Sequence, residues 1–140
     1  NHPATVDFAM AQAYTEWLSK KTKQKYRLPN VEESKSWHKK AHKKGAKENT
    51  LAYWAGYSLT ANEVANFRGK LAETEQNLIK TVGQFSPSKL GEAEVYDLAG
   101  NVAEYDQKGG TYGYSAYDYV DAHDSTVKPM KIGFRVVKEK

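Results

Sequence analysis

Tyrosine is concentrated in one segment near the carboxyl end of the chain, where it alternates with acidic and small residues. Five of the ten tyrosines fall there among four aspartates: Tyr105, Tyr112, Tyr114, Tyr117, Tyr119, Asp106, Asp118, Asp121 and Asp124. Tyrosine offers a large contact area with few rotatable bonds, and its hydroxyl adds a hydrogen bond, so this composition is typical of recognition surfaces. The segment therefore predicts a ligand-binding loop made of Tyr112, Tyr114, Tyr117, Asp118 and Tyr119, the last four exposed. The alternative is that alternate tyrosines pack beneath the loop as core.

Two further sets of residues have types suited to chemistry. His38 and His42 stand four apart in a helical pattern and could reach one metal ion, but zinc needs more ligands and the sequence places none beside them. Solvated surface histidines are therefore favoured. Ser115, with His123 and a nearby aspartate, has the members of a nucleophilic triad, but nearness in sequence is not geometry. Neither set predicts catalysis.

The first helix that must position these residues is predicted over 7–20. Asp7 can accept hydrogen bonds from the free N–H groups of the first turn, and basic residues suit its last turn. The apolar spacing predicts that one face points inward, made of Met10, Tyr14, Trp17 and Leu18.

A second helix is predicted from Asn30, where Asn30 and Glu33 form a capping box. Trp37 and Ala41 should point inward, and Gly45 should end the helix. The pattern then weakens: Tyr53 to Tyr57 indicates a buried aromatic turn, and 61–72 is a possible third helix.

From Val82 onward, glycine, proline, aspartate and asparagine separate short apolar pieces, and the last of these is a strand over 132–137. The prediction is one α+β domain over 1–140, with two helices packed on short antiparallel strands and long ordered loops.

Composition excludes several classes of function. The chain has no cysteine, so these 140 residues hold no disulfide, thiolate metal site or cysteine nucleophile. No apolar run approaches the roughly 20 residues of a membrane-spanning helix, so no membrane insertion is expected.

Residues 20–47 carry eleven Lys or Arg against two Glu, a net charge of +9. They could meet an anionic partner, but solvated helix faces are the simpler reading. Nucleic acid is not expected, because aromatic or arginine base readers are not interleaved with the lysines.

Several strings along the chain match a known family in order and approximate spacing. They are Tyr14 with Trp17-Leu18, Tyr26-Arg27-Leu28-Pro29 before the Glu33 helix, Val82-Gly83, the run from Val95 to Tyr105, Gly109-Gly110-Thr111-Tyr112, and Gly133 to Val137. Together they resemble the formylglycine-generating-enzyme, or sulfatase-modifying-factor, family. The resemblance implies a C-type-lectin-like fold variant whose irregular loops are held by buried aromatic residues and calcium. It also suggests that the chain is the C-terminal portion of a longer domain or protein.

The same resemblance implies metal sites. By position, a structural calcium ion would take the carboxylates of Asp97 and Glu104 and the carbonyls of Asp97, Gly100 and Val102, and a weaker second site would use Asn66 and Phe67 with Glu73 or Glu75. Calcium prefers such mixtures of carboxylate and carbonyl oxygens. The alternative for Asp97 and Glu104 is that they cap turns or pair with basic residues.

Departures from the family pattern bear on activity. The enzyme that names the family uses copper held by two of its own cysteines, so that chemistry is excluded here. The resemblance then predicts a non-catalytic, lectin-like module that binds a protein, peptide or glycan and works beside other domains of a larger bacterial-type protein, in an extracytoplasmic or cell-surface setting. The alternative is an oxidoreductase domain that contributes to an oxygen-using iron site completed by another domain.

Overall fold

The computed structural model describes residues 1–41, 48–73, 77–119 and 128–139, and these form a mixed α/β structure. Four helices and seven short strands follow one another in these ranges: α1 (Phe8–Thr22), β1 (Tyr26–Arg27), α2 (Val31–Ala41), α3 (Leu51–Ala55), α4 (Ala61–Glu73), β2 (Ser88–Leu90), β3 (Ala93–Val95), β4 (Ala103–Tyr105), β5 (Thr111–Tyr112), β6 (Ile132–Gly133) and β7 (Val137–Lys138). The two-helix prediction is therefore wrong, because the first part of the predicted aromatic turn, 53–55, belongs to helix α3 and the possible third helix forms as α4. None of the helices in these ranges is long and apolar enough to span a membrane.

Helices α1 and α2 begin where the predicted caps stand. The Met10 N–H donates to the Asp7 carboxylate at 2.8 Å. At α2, the Glu33 N–H donates to the Asn30 side chain and the Asn30 N–H donates to the Glu33 carboxylate, both at 2.8 Å. The capping box is confirmed, since each side chain satisfies a backbone donor that the first turn leaves free. Gly45, the predicted stop of α2, lies outside the described residues.

The buried face of α1 is not the predicted one. Ala11 and Thr15 face the interior, whereas Met10, Tyr14 and Trp17 are 58%, 43% and 49% exposed. Ala11 packs with Leu28, Ala103, Tyr105 and Ile132 in the first core cluster. A small side chain lets the helix backbone approach the strands closely, so the large side chains next to it are left on the outer surface.

The strands form three small sheets. β1 pairs antiparallel with β7, and β2 with β3. In the third sheet β4 is central, antiparallel to β5 and parallel to β6. The predicted closing strand is thus interrupted: β6 belongs to one sheet and β7 to another, and 134–136 lie between them without strand pairing.

Two buried asparagines join the middle of the chain. Asn49 and Asn101 are each 1% exposed, and the Asn49 Nδ2 donates to Asn101 Oδ1 at 3.0 Å. Gly100 lies against the Asn49 backbone with φ +81°, and a Cβ there would stand 2.8 Å from the Asn49 carbonyl oxygen. Only glycine allows both the left-handed conformation and this close approach.

Candidate functional site

A mainly apolar groove of about 550 Å³ runs between the amino-terminal part of the chain and the segment that joins β6 to β7. We call it the Arg135 groove. Its lining residues are Pro3, Ala4, Val6, Met10, Tyr14, Val82, Tyr96, Asp97, Asn101, Val102, Glu104, Phe134, Arg135 and Val136. Most are apolar, and the Tyr14 ring packs edge-on against Phe134 with ring centroids 5.3 Å apart. The groove is therefore an exposed apolar surface with charged groups at one place only.

The charged groups form a partly buried ion pair. Arg135 donates from Nε and Nη2 to the two carboxylate oxygens of Glu104, both at 2.5 Å. Nη2 also donates to the carbonyl oxygens of Tyr96 at 3.2 Å and Asp97 at 3.3 Å. The Glu104 side chain is 8% exposed and that of Arg135 21%. Burial raises the pKa of Glu104, and the Arg135 guanidinium opposes that shift by favouring the carboxylate.

This ion pair uses oxygen atoms that the sequence predicted as calcium ligands. Arg135 already contacts both Glu104 oxygens and the Asp97 carbonyl. The Asp97 carboxylate turns away to accept from the Gly83 N–H at 3.0 Å. Gly100 lies against the Asn49 backbone, and the Val102 side chain is buried in core. These groups do not fit calcium as arranged, because a guanidinium stands among the oxygens that the ion needs; the alternative that Glu104 pairs with a basic residue is the arrangement present.

The second set of calcium ligands is not brought together either. Asn66 and Phe67 lie in the middle of α4 on its exposed side. Carbonyls at such positions bond along the helix rather than to a shared ion. Glu73 ends the same helix, about two turns further on, and Glu75 lies outside the described residues. Among the described residues, no three His, Cys, Asp or Glu side chains are grouped so that they could hold a metal ion.

The tyrosine-rich segment is mostly interior. Tyr117, Asp118 and Tyr119 are 4%, 4% and 7% exposed, so their predicted exposure is wrong. The hydroxyl of Tyr119 accepts from the Leu59 N–H at 2.9 Å, and that of Tyr117 from the Leu78 N–H at 3.0 Å. Each hydroxyl thus satisfies a backbone donor while its ring fills a core cluster. Tyr112 and Tyr114 are half-buried.

Asp118 is similarly occupied inside the molecule. Its carboxylate accepts from the Ser115 hydroxyl at 2.5 Å and lies 3.4 Å from an Arg68 nitrogen. Ser115 is fully buried. A nucleophile needs access to its substrate, so Ser115 has no catalytic geometry, and His123 of the suggested triad lies outside the described residues.

Sequence reasoning missed the groove. Arg135 belongs to the string Gly133 to Val137 that carries the family resemblance, but the resemblance did not indicate that Arg135 pairs with Glu104. Met10 and Tyr14 have helical spacing that is equally consistent with an inward and an outward face. A useful signal was present in Ala11 and Thr15, which have the same spacing of four and side chains small enough for close packing.

Comparison with known proteins identifies the family. The family model of the sulfatase-modifying factor enzyme 1-like domain matches residues 1–140. The chain belongs to this family. No curated protein and no solved structure matches the sulfatase-modifying factor domain described above.

The 140 residues contain no cysteine, so they cannot perform chemistry that needs a pair of cysteines. What the domain presents is a groove with an ion pair at its floor. Most residues that line this groove are apolar, and the Arg135 guanidinium and the Glu104 carboxylate neutralise each other.

His38, which the sequence predicted to be a solvated surface residue, is half-buried, and its position predicts acid sensitivity of the domain. His38 stacks on Tyr112, and its Nδ1 is buried without a hydrogen-bond partner among the described residues. Burial, with a smaller contribution from the charge of Arg135, lowers the pKa of His38 to about 4. The folded state therefore binds this proton less readily than the unfolded state, and stability falls as the pH drops below the unfolded pKa of about 6.5.

Between pH 7 and pH 4 we expect His38 to reduce the free energy of unfolding by about 3 kcal/mol. His38→Phe retains an aromatic ring beside Tyr112 but cannot titrate, so it should lose that much less stability over the same range. Urea unfolding of both proteins at several pH values measures the difference. Parallel pH dependences would contradict this account of His38.

Proposed function

We propose that this domain is a non-catalytic binding module of the sulfatase-modifying factor family and that the Arg135 groove holds an extended polypeptide segment. The observation that carries the proposal is a strip of unpaired backbone beneath apolar walls. Phe134, Arg135 and Val136 line the groove, and their backbone groups bond to no other described residue.

The walls supply apolar contact area. Met10, Val82 and Tyr96 are 58%, 53% and 39% exposed, and all three line the groove with Tyr14. Contiguous exposed apolar patches mark interaction sites in folded proteins, because apolar surface that faces water is unfavourable unless a partner covers it. Side chains of a bound segment would fill this surface.

The backbone of residues 134–136 supplies hydrogen-bonding groups to the groove. Residues 134–136 continue from β6 toward β7 without belonging to either strand. A segment lying alongside them could bond to their N–H and C=O groups, as in recognition by strand addition. The peptide backbone would give affinity, and the apolar walls would select every second side chain.

Charge at the floor limits which segment fits. Arg135 and Glu104 form a neutral pair, and no described residue accepts a hydrogen bond from Arg135 Nη1. A carbonyl of the bound segment can accept from that nitrogen. The groove therefore suits a segment of alternating apolar residues with little net charge, not a strongly acidic or basic one.

Two further features support a lectin-like module without catalysis. Irregular loops are anchored by buried tyrosines, as the resemblance to C-type-lectin-like domains implies, and the absence of cysteine removes the activity that names the family. We extend the proposal to the setting that the resemblance implies, an extracytoplasmic or cell-surface part of a larger bacterial protein.

Displayed random peptides selected on the domain test the proposal. We expect the enriched peptides to alternate apolar residues, and Tyr14→Ala to weaken a labelled synthetic copy by about tenfold, the scale of losing one central aromatic contact. Fluorescence anisotropy measures the affinity. Tyr57→Ala is the matched control, because Tyr57 is also exposed and does not line the groove. Enrichment of peptides that Tyr57→Ala weakens and Tyr14→Ala does not would refute the proposed site.

A further inference from the structure

A second aromatic site lies on a different surface of the domain. Tyr53, Trp54 and Phe85 form a cluster in which the Tyr53 ring stands 5.2 Å from Trp54 and 5.3 Å from Phe85, with interplanar angles of 80° and 82°. Together with Lys80, Gln84 and Ser86 they line a pocket of about 250 Å³, which we call the Trp54 pocket. The sequence pattern predicted Tyr53 and Trp54 to be buried, but they are 41% and 46% exposed.

The exposed Trp54 ring is held in one position from inside the molecule. Its Nε1–H donates to Asn49 Oδ1 at 2.7 Å, and Asn49 is almost completely buried. The Asn49 amide in turn donates to the Leu78 carbonyl and to Asn101. An exposed side chain fixed in this way has already lost its rotational freedom, so a ligand that stacks on it does not bear that cost.

The backbone of Lys80 is held by Asn101, the hydrogen-bond partner of Asn49. Its backbone N–H donates to Asn101 Oδ1 at 2.9 Å, and its carbonyl accepts from Asn101 Nδ2 at 3.1 Å. Its ammonium group lies over the Trp54 ring, 5.2 Å from the centroid. The two asparagines therefore hold an aromatic ring and a cationic donor next to each other at one small pocket.

This combination restricts the chemistry of a ligand. A cationic ligand would be repelled by Lys80, which already occupies the favourable position over the indole. A wholly apolar ligand would remove Lys80, Gln84 and Ser86 from water without giving them hydrogen bonds. A nucleic acid strand needs several cations for its phosphates, and Lys80 is the one basic side chain among the residues that line this pocket.

A ring with one C–H face and hydroxyl groups around its edge satisfies both requirements. The C–H face can lie on the part of the Trp54 ring that stays exposed beside the Lys80 ammonium, and the hydroxyls can bond to Lys80, Gln84 and Ser86. We propose that the Trp54 pocket binds a saccharide ring. This site is separate from the Arg135 groove, with which it shares no lining residue.

The test is binding of the labelled domain to an array of immobilised neutral and uronic-acid oligosaccharides. The chain offers a closely matched control: Trp17 is 49% exposed and has Lys21 over its ring at 4.6 Å. We expect the wild-type domain to retain at least one oligosaccharide, Trp17→Ala to retain it equally, and Trp54→Ala to lose about tenfold or more of the affinity.

Gln84→Ala removes one hydrogen-bonding group and leaves the Trp54 anchor in place, so it should weaken binding even if Trp54→Ala folds poorly. Retention of no oligosaccharide by the folded wild-type domain would overturn the proposal. It would also be overturned if Trp54→Ala and Gln84→Ala bound as well as wild type, or if a single-stranded oligonucleotide bound through Trp54 and no oligosaccharide did. The peptide selection on the Arg135 groove is unaffected by any of these results.

Discussion

Arg135→Ala should reduce the free energy of unfolding by about 3–5 kcal/mol, the cost of leaving a buried charge without its partner. Glu104 loses both of its charge-assisted hydrogen bonds, and the carbonyls of Tyr96 and Asp97 lose a donor. Small domains are stable by only about 5–15 kcal/mol, so this loss is a large fraction of the total. Chemical denaturation followed by circular dichroism measures it.

The matched control replaces both partners by apolar residues. Arg135→Met combined with Glu104→Leu should recover most of the loss, because no unpaired charge stays buried. A calcium ion bound at Glu104 would lead to the opposite results. If an ion held Glu104 and the Asp97 carbonyl, a chelator would lower the melting temperature of the wild-type domain and Arg135→Ala would matter little. Our account predicts that the chelator has no effect and that Arg135→Ala does.

Asn101→Ala should cost at least about 3 kcal/mol, since it removes three hydrogen bonds at a fully buried position and leaves donors unsatisfied. The lost bonds join Asn101 to the Asn49 side chain and to both backbone groups of Lys80. The φ angle of Asn101 is +67°, so alanine adds backbone strain that asparagine tolerates better. Denaturant unfolding measures the total effect.

Asn101→Gly separates the two causes. Glycine adopts a positive φ without strain but has no amide, so it should retain the hydrogen-bond loss and recover about 1 kcal/mol of the strain. Equal stability of Asn101→Gly and the wild-type domain would show that the amide pair contributes nothing. The same variants should broaden the fluorescence emission band of Trp54. Asn49, which holds the Trp54 ring in place, loses its hydrogen bond to Asn101 in these variants.

Local structure was predictable where the cause is local. The Asp7 cap and the Asn30–Glu33 box follow from side chains that satisfy nearby backbone groups, and α4 follows from apolar spacing, so these predictions are confirmed. The buried face of α1 was not predictable in the same way. Which face turns inward depends on the closeness of β4 and β6, which favours Ala11 over Met10.

The site was harder to predict because its partners are far apart in sequence. Glu104 and Arg135 are separated by 31 positions, and their pairing depends on the parallel contact of β4 with β6. A positional comparison with the family placed calcium at Glu104, but it carried no information about where the Arg135 side chain would lie. The predicted exposure of the tyrosine segment was wrong for a related reason. Composition identifies residues suited to recognition, but it does not say which tyrosine hydroxyls accept a hydrogen bond from a backbone N–H inside the domain.

Amide hydrogen exchange of the domain with a selected peptide tests the central claim most directly. In the free domain, the amides of Phe134, Arg135 and Val136 bond to no described residue and should exchange quickly, whereas the Ala103 amide, bonded to the Lys131 carbonyl at 3.0 Å, should be protected throughout. We predict that the peptide protects amides within 134–136. Protection confined to other surfaces, with 134–136 exchanging as fast as before, would contradict the proposal that this groove binds an extended polypeptide.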